Sequence, residues 1–194
     1  MTAETTTARG QAVTRLRELA QLAETSAAAL PEQIAEAAAL VRDVLAHGGT
    51  LFFCGNGGSA ADAQHLATEY VVRYMKNRRA LPAIALTTDT SLLTAAGNDL
   101  GFDQIFARQV EALVRAGDLL VVHSTSGRSP NVLRAAEAAR AKGAKVLALT
   151  ARDGGALRGL ADLTIVVPTD RTDRAQELHL AIQHVICELV EGDA

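Results

Sequence analysis

Tryptophan is absent from this chain, and two tyrosines and four phenylalanines are all the aromatic residues that 194 positions offer. A platform on which nucleic-acid bases stack needs more rings than that. Basic blocks are missing too. The formal net charge is −3, and Arg78-Arg79 beside Lys76 is too short a cluster to track a phosphate backbone. A solvated helix end is the expectation for those residues, and nucleic acid is not an expected partner. Cysteine appears only as Cys54 and Cys187. They lie far apart in apolar surroundings, which reads as buried thiols rather than a disulfide or a metal pair. No apolar run reaches membrane-spanning length. The start, Met1-Thr2-Ala3-Glu4-Thr5-Thr6-Thr7, carries no apolar signal core. A cytoplasmic protein without membrane attachment is expected.

Apolar residues make up 48% of the chain, enough for the core of one compact domain of this length. Two helical stretches come first. Val13, Leu16, Ala20 and Ala23 recur at helical spacing, as do Ile34, Ala38, Val41 and Leu45. Pro31 suits the first turn of the second helix and Gly48-Gly49 its end. These Ala-rich helices are suited to pack on each other or on another subunit. From residue 50 short apolar runs alternate with helical stretches. The runs are Leu51–Cys54, Ala83–Leu86, Leu119–Val122, Val146–Leu149 and Leu163–Val167. The helical stretches are Ala60–Met75, Ser91–Ala96 with Asp103–Val114, Pro130–Ala141, a short one at Ala156–Leu160, and a long one from Thr172 to Glu191. Buried strands alternating with crossover helices predict an α/β fold. The expected form is a five-stranded parallel sheet, doubly wound, with helices on both faces and a leading helical pair. Residues 1–194 are expected to form a single domain, with 1–48 as its N-terminal helical extension.

In such sheets ligands sit beyond the carboxyl ends of the strands. Two loops there are unusual. The first is Gly55-Asn56-Gly57-Gly58-Ser59, where a strand turns into a helix whose free N–H groups can surround an anion. It matches neither the dinucleotide fingerprint nor the P-loop, so no nucleotide cofactor is expected. The second is Ser124-Thr125-Ser126-Gly127-Arg128-Ser129-Pro130, with four hydroxyls and a helix start set by Pro130. Hydroxyls and open N–H groups suit the terminal oxygens of a phosphomonoester. His65 and Glu69, four residues apart, share one face of the helix after the first loop. By spacing alone they read as a solvated pair. Gln176, Glu177 and His179 on the last helix read as surface residues by the same standard, whereas His184, in the apolar run Ile182–Cys187, reads as a core or site histidine, the core reading being favoured by the residues alone. Gly97-Asn98-Asp99 reads as a turn, and Asp173-Arg174 as a cap with a surface partner.

Taken together, Cys54-Gly55-Asn56-Gly57-Gly58-Ser59, His65-x-x-x-Glu69, Gly97-Asn98-Asp99-x-Gly101-Phe102, Ser124-Thr125-Ser126-Gly127-x-Ser129 and Asp173-Arg174-x-Gln176-Glu177-x-His179 followed by His184 resemble the bacterial phosphoheptose isomerases of the SIS (sugar isomerase) fold. The resemblance runs in order along nearly the whole chain. It implies a phosphosugar pocket. Asn56, Gly57, Gly58 and Ser59 belong to substrate binding, and Ser124, Thr125, Ser126 and Ser129 form a phosphate clasp. Asn98, Asp99 and Gln176 hold sugar hydroxyls, while Arg73 and Asp173 match further polar positions. Glu69 matches the general base and His184 the general acid. His65, Glu69, Gln176 and His184 match a zinc site. The related enzymes are homotetramers. One position departs from the family: the residue after the loop glycine is usually Asn and here is Arg128, whose guanidinium would either donate to the phosphate or point to solvent.

The implied reaction turns sedoheptulose 7-phosphate into D-glycero-D-manno-heptose 7-phosphate, the first step toward nucleotide-activated heptose. It needs a base over one carbon and a proton donor at the oxygens of an enediol, with phosphate binding energy fixing the reacting carbons. A zinc ion there would act as a Lewis acid, but a zinc-bound Glu69 would be a poorer base. Gln176 and His184 stand about 12 Å apart along one straight helix, so a shared ion demands converging side chains, an irregular helix start or two subunits. The competing expectations are a non-catalytic SIS protein that binds a replication initiator and a phosphosugar sensor fused to a DNA-binding module. The family's non-catalytic regulator lacks a histidine at the position of His184, and no helix-turn-helix is evident here.

Overall fold

The computed structural model describes residues 7–192. The polar start Met1–Thr6 therefore lies outside the described residues. Five parallel strands, β1 (Leu51–Gly55), β2 (Ala83–Ala85), β3 (Leu119–His123), β4 (Lys145–Ala151) and β5 (Leu163–Val167), form one sheet in the order β2-β1-β3-β4-β5. Its register runs from Leu51 against Leu119 to Gly55 against His123 at the centre. β1, β3 and β4 are runs of apolar side chains that alternate between two cores. Leu51, Phe53, Leu119, Val121, Leu147 and Leu149 face one side, and Phe52, Cys54, Leu120, Val122, Val146 and Ala148 the other. That period of two on both faces is what a sheet covered twice requires.

On the first face lie α2 (Pro31–Ala46), α3 (Gly58–Val71) and α7 (Thr172–Gly192); on the second lie α4 (Thr90–Asp99), α5 (Ala107–Leu113) and α6 (Pro130–Ala141). α1 (Ala8–Ala29) precedes them and stays largely outside the core, with Val13 41% and Leu16 68% exposed. Cys54 and Cys187 are buried free thiols, as expected. No helix among the described residues is long and apolar enough to cross a membrane.

Four sequence expectations need correction. The helix predicted over Ala60–Met75 begins at Gly58 and stops at Val71, because the N–H groups of Tyr74, Met75 and Lys76 bond to the carboxylate of Glu191 instead of continuing the helical ladder. Arg78 is no solvated helix end: its side chain is 7% exposed and lies against Glu191. The helix predicted over Asp103–Val114 divides into a 3₁₀ turn, Phe102–Gln104, and α5. The short helix near Ala156 is also a 3₁₀ turn, Ala156–Gly159.

Candidate active site

The strand order reverses direction between β1 and β3, and the loops that follow those two strands lie side by side. They are the glycine loop and the serine loop. Two amides join them: Asn56 Nδ2 donates to Asn131 Oδ1, and Asn131 Nδ2 donates to Asn56 Oδ1, both at 2.8 Å. Asn131 is 1% exposed and was not singled out in the sequence; its position just inside α6 was the available signal. With its side chain committed to Asn131, Asn56 has its backbone left to offer a ligand. Gly57 takes φ 57° at the start of α3, a conformation that costs a residue with a Cβ. A cavity of about 480 Å³ opens beside this loop, lined among others by Gly55, Asn56, Gly57, Thr87, Thr94 and Gly97.

The serine loop is shaped by its own hydroxyls. Gly127 N–H donates to the carbonyl oxygen of Ser124 at 3.1 Å and lies 3.2 Å from its Oγ, while Arg128 N–H donates to Ser126 Oγ at 3.2 Å. Both hydroxyl oxygens act as acceptors there, so their protons are available to an anion. The hydroxyls of Thr125 and Ser129 make no side-chain hydrogen bond among the described residues. Gly127, at φ 59°, is pressed so closely on the loop after β4 that a Cβ would stand 1.9 Å from the Gly154 carbonyl oxygen. Arg128 stays at the solvent-exposed surface, as one of the two expectations had it, but paired rather than free. Its guanidinium grips Asp153 at 2.8 and 2.6 Å and also donates to the Ser126 carbonyl at 3.1 Å. That ion pair holds the Asp153 carboxyl well below the usual carboxylate range.

α3 and α7 run alongside each other in the same sense. Gln176 lies against Gly58, where an added Cβ would be 2.7 Å from the Gln176 amide. One level further on, His184 Nε2 is 2.8 Å from His65 Nε2, and His65 Nε2 is 3.2 Å from Glu69 Oε1. Ligand atoms of His65, Glu69 and His184 all fall within 4.8 Å of one another. Two imidazoles and a carboxylate at that spacing fit a zinc-type ion. The His184 pKa is lowered by burial first and by His65 second, against a smaller upward pull from Glu69, so its ring is neutral near pH 7. α7 is one continuous helix from Thr172, which removes the irregular helix start as a way to bring Gln176 to the same ion. Seven residues separate Gly58 from His65 on α3, about 10 Å.

Other predicted positions stand apart within one chain. Asn98 donates to Asp99 at 2.7 Å on the exposed end of α4. Asp173 pairs with Arg171, whose hydrogen bond holds its pKa down to about 2. Arg73 is exposed just beyond α3. Arg73, Asp99 and Asp173 make no hydrogen bond to either loop or to the histidine cluster among the described residues. Ser59 is buried at the base of the glycine loop, 3% exposed. Asp62, one turn before His65, was not singled out; burial pushes its pKa up to about 6, and its buried Oδ2 has no partner. His179 is fully buried rather than a surface residue and bonds through Nε2 to the Thr150 carbonyl at 3.0 Å.

Two loops joined at a switch point, one rich in glycine and one in hydroxyls, with a His–Glu–His cluster on the adjacent α3 and α7, define a doubly wound domain whose ligand site lies beyond the carboxyl ends of the strands. Comparison with known proteins narrows this. The SIS domain family matches residues 16–151. The phosphoheptose isomerase of Chlorobaculum parvum is 56% identical over 181 residues, covering 92% of this chain and 87% of that protein. The phosphoheptose isomerase of Rhodospirillum rubrum is 58% identical over 158 residues, covering 81% and 84%. The structure of phosphoheptose isomerase GmhA from Neisseria gonorrhoeae superposes with a TM-score of 0.91 at 43% identity, covering 96% of this chain and all of that one. The chain is a SIS-domain protein and, within that class, belongs to the phosphoheptose isomerases.

Proposed function

We propose that the protein interconverts sedoheptulose 7-phosphate and D-glycero-D-manno-heptose 7-phosphate through an enediol in the cytoplasm, at the start of nucleotide-activated heptose synthesis. The observation that carries the reading is the meeting of His184 with His65 and Glu69 on helices that both meet the glycine loop at Gly58. A purely phosphosugar-binding protein has no need of that cluster. Ser124, Thr125, Ser126 and Ser129 donate hydroxyl protons to the phosphate, and the N–H groups of Gly57 and Gly58 add dipoles at a helix start. Ser59, Asn98, Asp99, Arg73, Asp173 and Gln176 complete the sugar contacts. Glu69 removes the proton from the carbon beside the carbonyl. Neutral His184 hands a proton to, or takes one from, the neighbouring oxygen. The phosphate contacts change no bond; they hold the reacting carbons over Glu69.

His65, Glu69 and His184 would hold Zn²⁺, with Gln176 as a fourth ligand. When bound, the ion would supply Lewis-acid stabilisation of the enediolate oxygens. Since Gln176 lies beside Gly58 of its own chain, donation from a neighbouring subunit is the arrangement that brings it to the ion. A homotetramer with pockets at subunit boundaries is consistent with that, and with the exposure of Val13, Leu16, Val71, Val72 and Met75.

Incubating the purified protein with sedoheptulose 7-phosphate in D₂O tests the reading. Product and solvent deuterium at the transferred position are expected together. A metal-replete sample that yields neither would overturn the enzymatic reading. Light scattering and metal analysis of the same sample report the tetramer and the zinc.

A further inference from the structure

Residues 72–82 link α3 to β2, and apart from Arg73 the proposed chemistry uses none of them. The segment is anchored from both ends of a buried ion pair. Glu191, near the end of α7 and 3% exposed, accepts the backbone N–H of Tyr74 on Oε1 at 2.8 Å and those of Met75 and Lys76 on Oε2 at 2.8 and 2.9 Å. Arg78 places Nε 3.1 Å from Glu191 Oε1, an ion pair without hydrogen-bond alignment. Its terminal nitrogens reach the other way, to the Tyr70 carbonyl at 2.8 Å and the Glu69 carbonyl at 2.6 Å. A buried carboxylate is costly unless fully matched, and this one is matched by three amides and a guanidinium. The carbonyls that α3 leaves open at its end are capped by the same arginine. The strap therefore ties together the ends of the two helices that carry Glu69 and His184.

At the start of the strap, Tyr74 lies flat against His184, with ring centroids 5.3 Å apart and planes 21° apart. The imidazole also meets His65 edge-on, at 5.0 Å and 61°. The ring torsion of a histidine is intrinsically broad, so a lone imidazole on a helix would sample many orientations. Stacked on Tyr74, it takes one orientation, with Nε2 pointing to His65 Nε2 in the cluster.

We propose that Tyr74 is a positioning residue of the isomerase site: held in place by Glu191 and Arg78, its ring sets the plane of the His184 imidazole and so aims Nε2 at the reacting oxygens. The proposal rests on the acid–base role given to His184 above. Tyr74→Ala and Tyr74→Phe should be compared by steady-state kinetics on sedoheptulose 7-phosphate and by crystal structures. Losing an aromatic stack typically corresponds to about a tenfold change. Tyr74→Ala is expected to lower kcat by about that factor with KM moving less than about twofold, and to show His184 rotated or spread over several orientations. Tyr74→Phe, which keeps the flat ring, is expected to restore both. Should Tyr74→Ala fail to fold, Tyr74→Leu takes its place. A His184 ring unmoved in the aliphatic variant, a wild-type kcat there, or a Tyr74→Phe as impaired as Tyr74→Ala would each overturn the proposal. If the wild type itself is inactive on this substrate, the functional reading fails, and the His184 orientation alone decides whether Tyr74 positions it.

Discussion

The hydrogen bonds that shape the serine loop close over two or three residues, from Gly127 to Ser124 and from Arg128 to Ser126, whereas His65 and His184 meet across 119 positions. The loop is a local object. Its donors are set by hydroxyl chemistry, a helix start and a glycine that lets a neighbouring loop approach. The histidine cluster exists only because α3 and α7 pack side by side on one face of the sheet through residues such as Leu66, Ile182 and Ile186. A locally built site tolerates change one donor at a time. A site assembled from distant helices stands or falls with single side chains and with the packing beneath them.

The largest effect is expected where the assembled site has a single irreplaceable group. Glu69→Gln keeps the shape and removes the base, so turnover should fall by about 10² to 10⁴ while phosphosugar binding, measured by calorimetry, persists. Turnover at the wild-type rate would mean that Glu69 is not the base.

Beneath both regions lies a buried layer that joins them. His123 ends β3 at the root of the serine loop, and its Nε2 lies 3.2 Å from the Gln183 amide on α7. Burial lowers its pKa from 6.5 to about 3 and that of His179 to about 4. Both are neutral in the folded protein, while the unfolded chain takes up protons near pH 6.5. Their contribution to stability is thus complete above pH 6.5 and is lost as pH falls from there toward the folded values. The slope is about 1.4 kcal/mol per pH unit for each histidine. Urea midpoints at pH 7.5, 6.5, 5.5 and 4.5 should show the decline, and His123→Leu should flatten it. A wild-type midpoint that holds steady from pH 6.5 to 4.5 would show that the layer does not link the two regions in this way.

Single serine replacements should act more gently. Ser124→Ala, Ser126→Ala and Ser129→Ala each remove one donor, worth about 0.5–1.5 kcal/mol, with more toward a charged acceptor. The effect should appear in affinity for the phosphate end and leave kcat nearly unchanged. Unaltered binding in all three and in the triple variant would place the phosphate elsewhere.

The smallest effect is expected at the exposed Arg128–Asp153 pair. Arg128→Ala and Asp153→Ala should each change phosphosugar affinity by no more than about twofold, less at high salt. A direct role for Arg128 would give opposite signs instead: weaker binding without the arginine, and tighter binding once Asp153 no longer holds it.

Much of the local structure was legible beforehand. The serine loop, the glycine turn and the five apolar runs announce themselves because hydroxyls, glycines and unbroken apolar strands carry their meaning within a few residues. Arg128 shows the limit: its residue type suggested a phosphate donor or a solvated side chain, but its partner stands 25 positions later. Arg78 was read as a surface residue for the same reason, since nothing near it in the chain points to Glu191. The helix end at Val71 was missed because the carboxylate that captures the next amides comes from α7.

The amino-acid sequence alone determined the alternation of strand and helix, the glycine and hydroxyl make-up of both loops and the pairing of His65 with Glu69, since each depends on side-chain type and short-range periodicity. Only the tertiary structure decided that His184 faces His65, that Asn131 locks Asn56, that Arg128 belongs to Asp153, and that Glu191 holds a strap with Tyr74 against the imidazole. Those contacts join elements far apart in the chain, and their geometry follows from how the helices pack on the sheet, which no local pattern encodes.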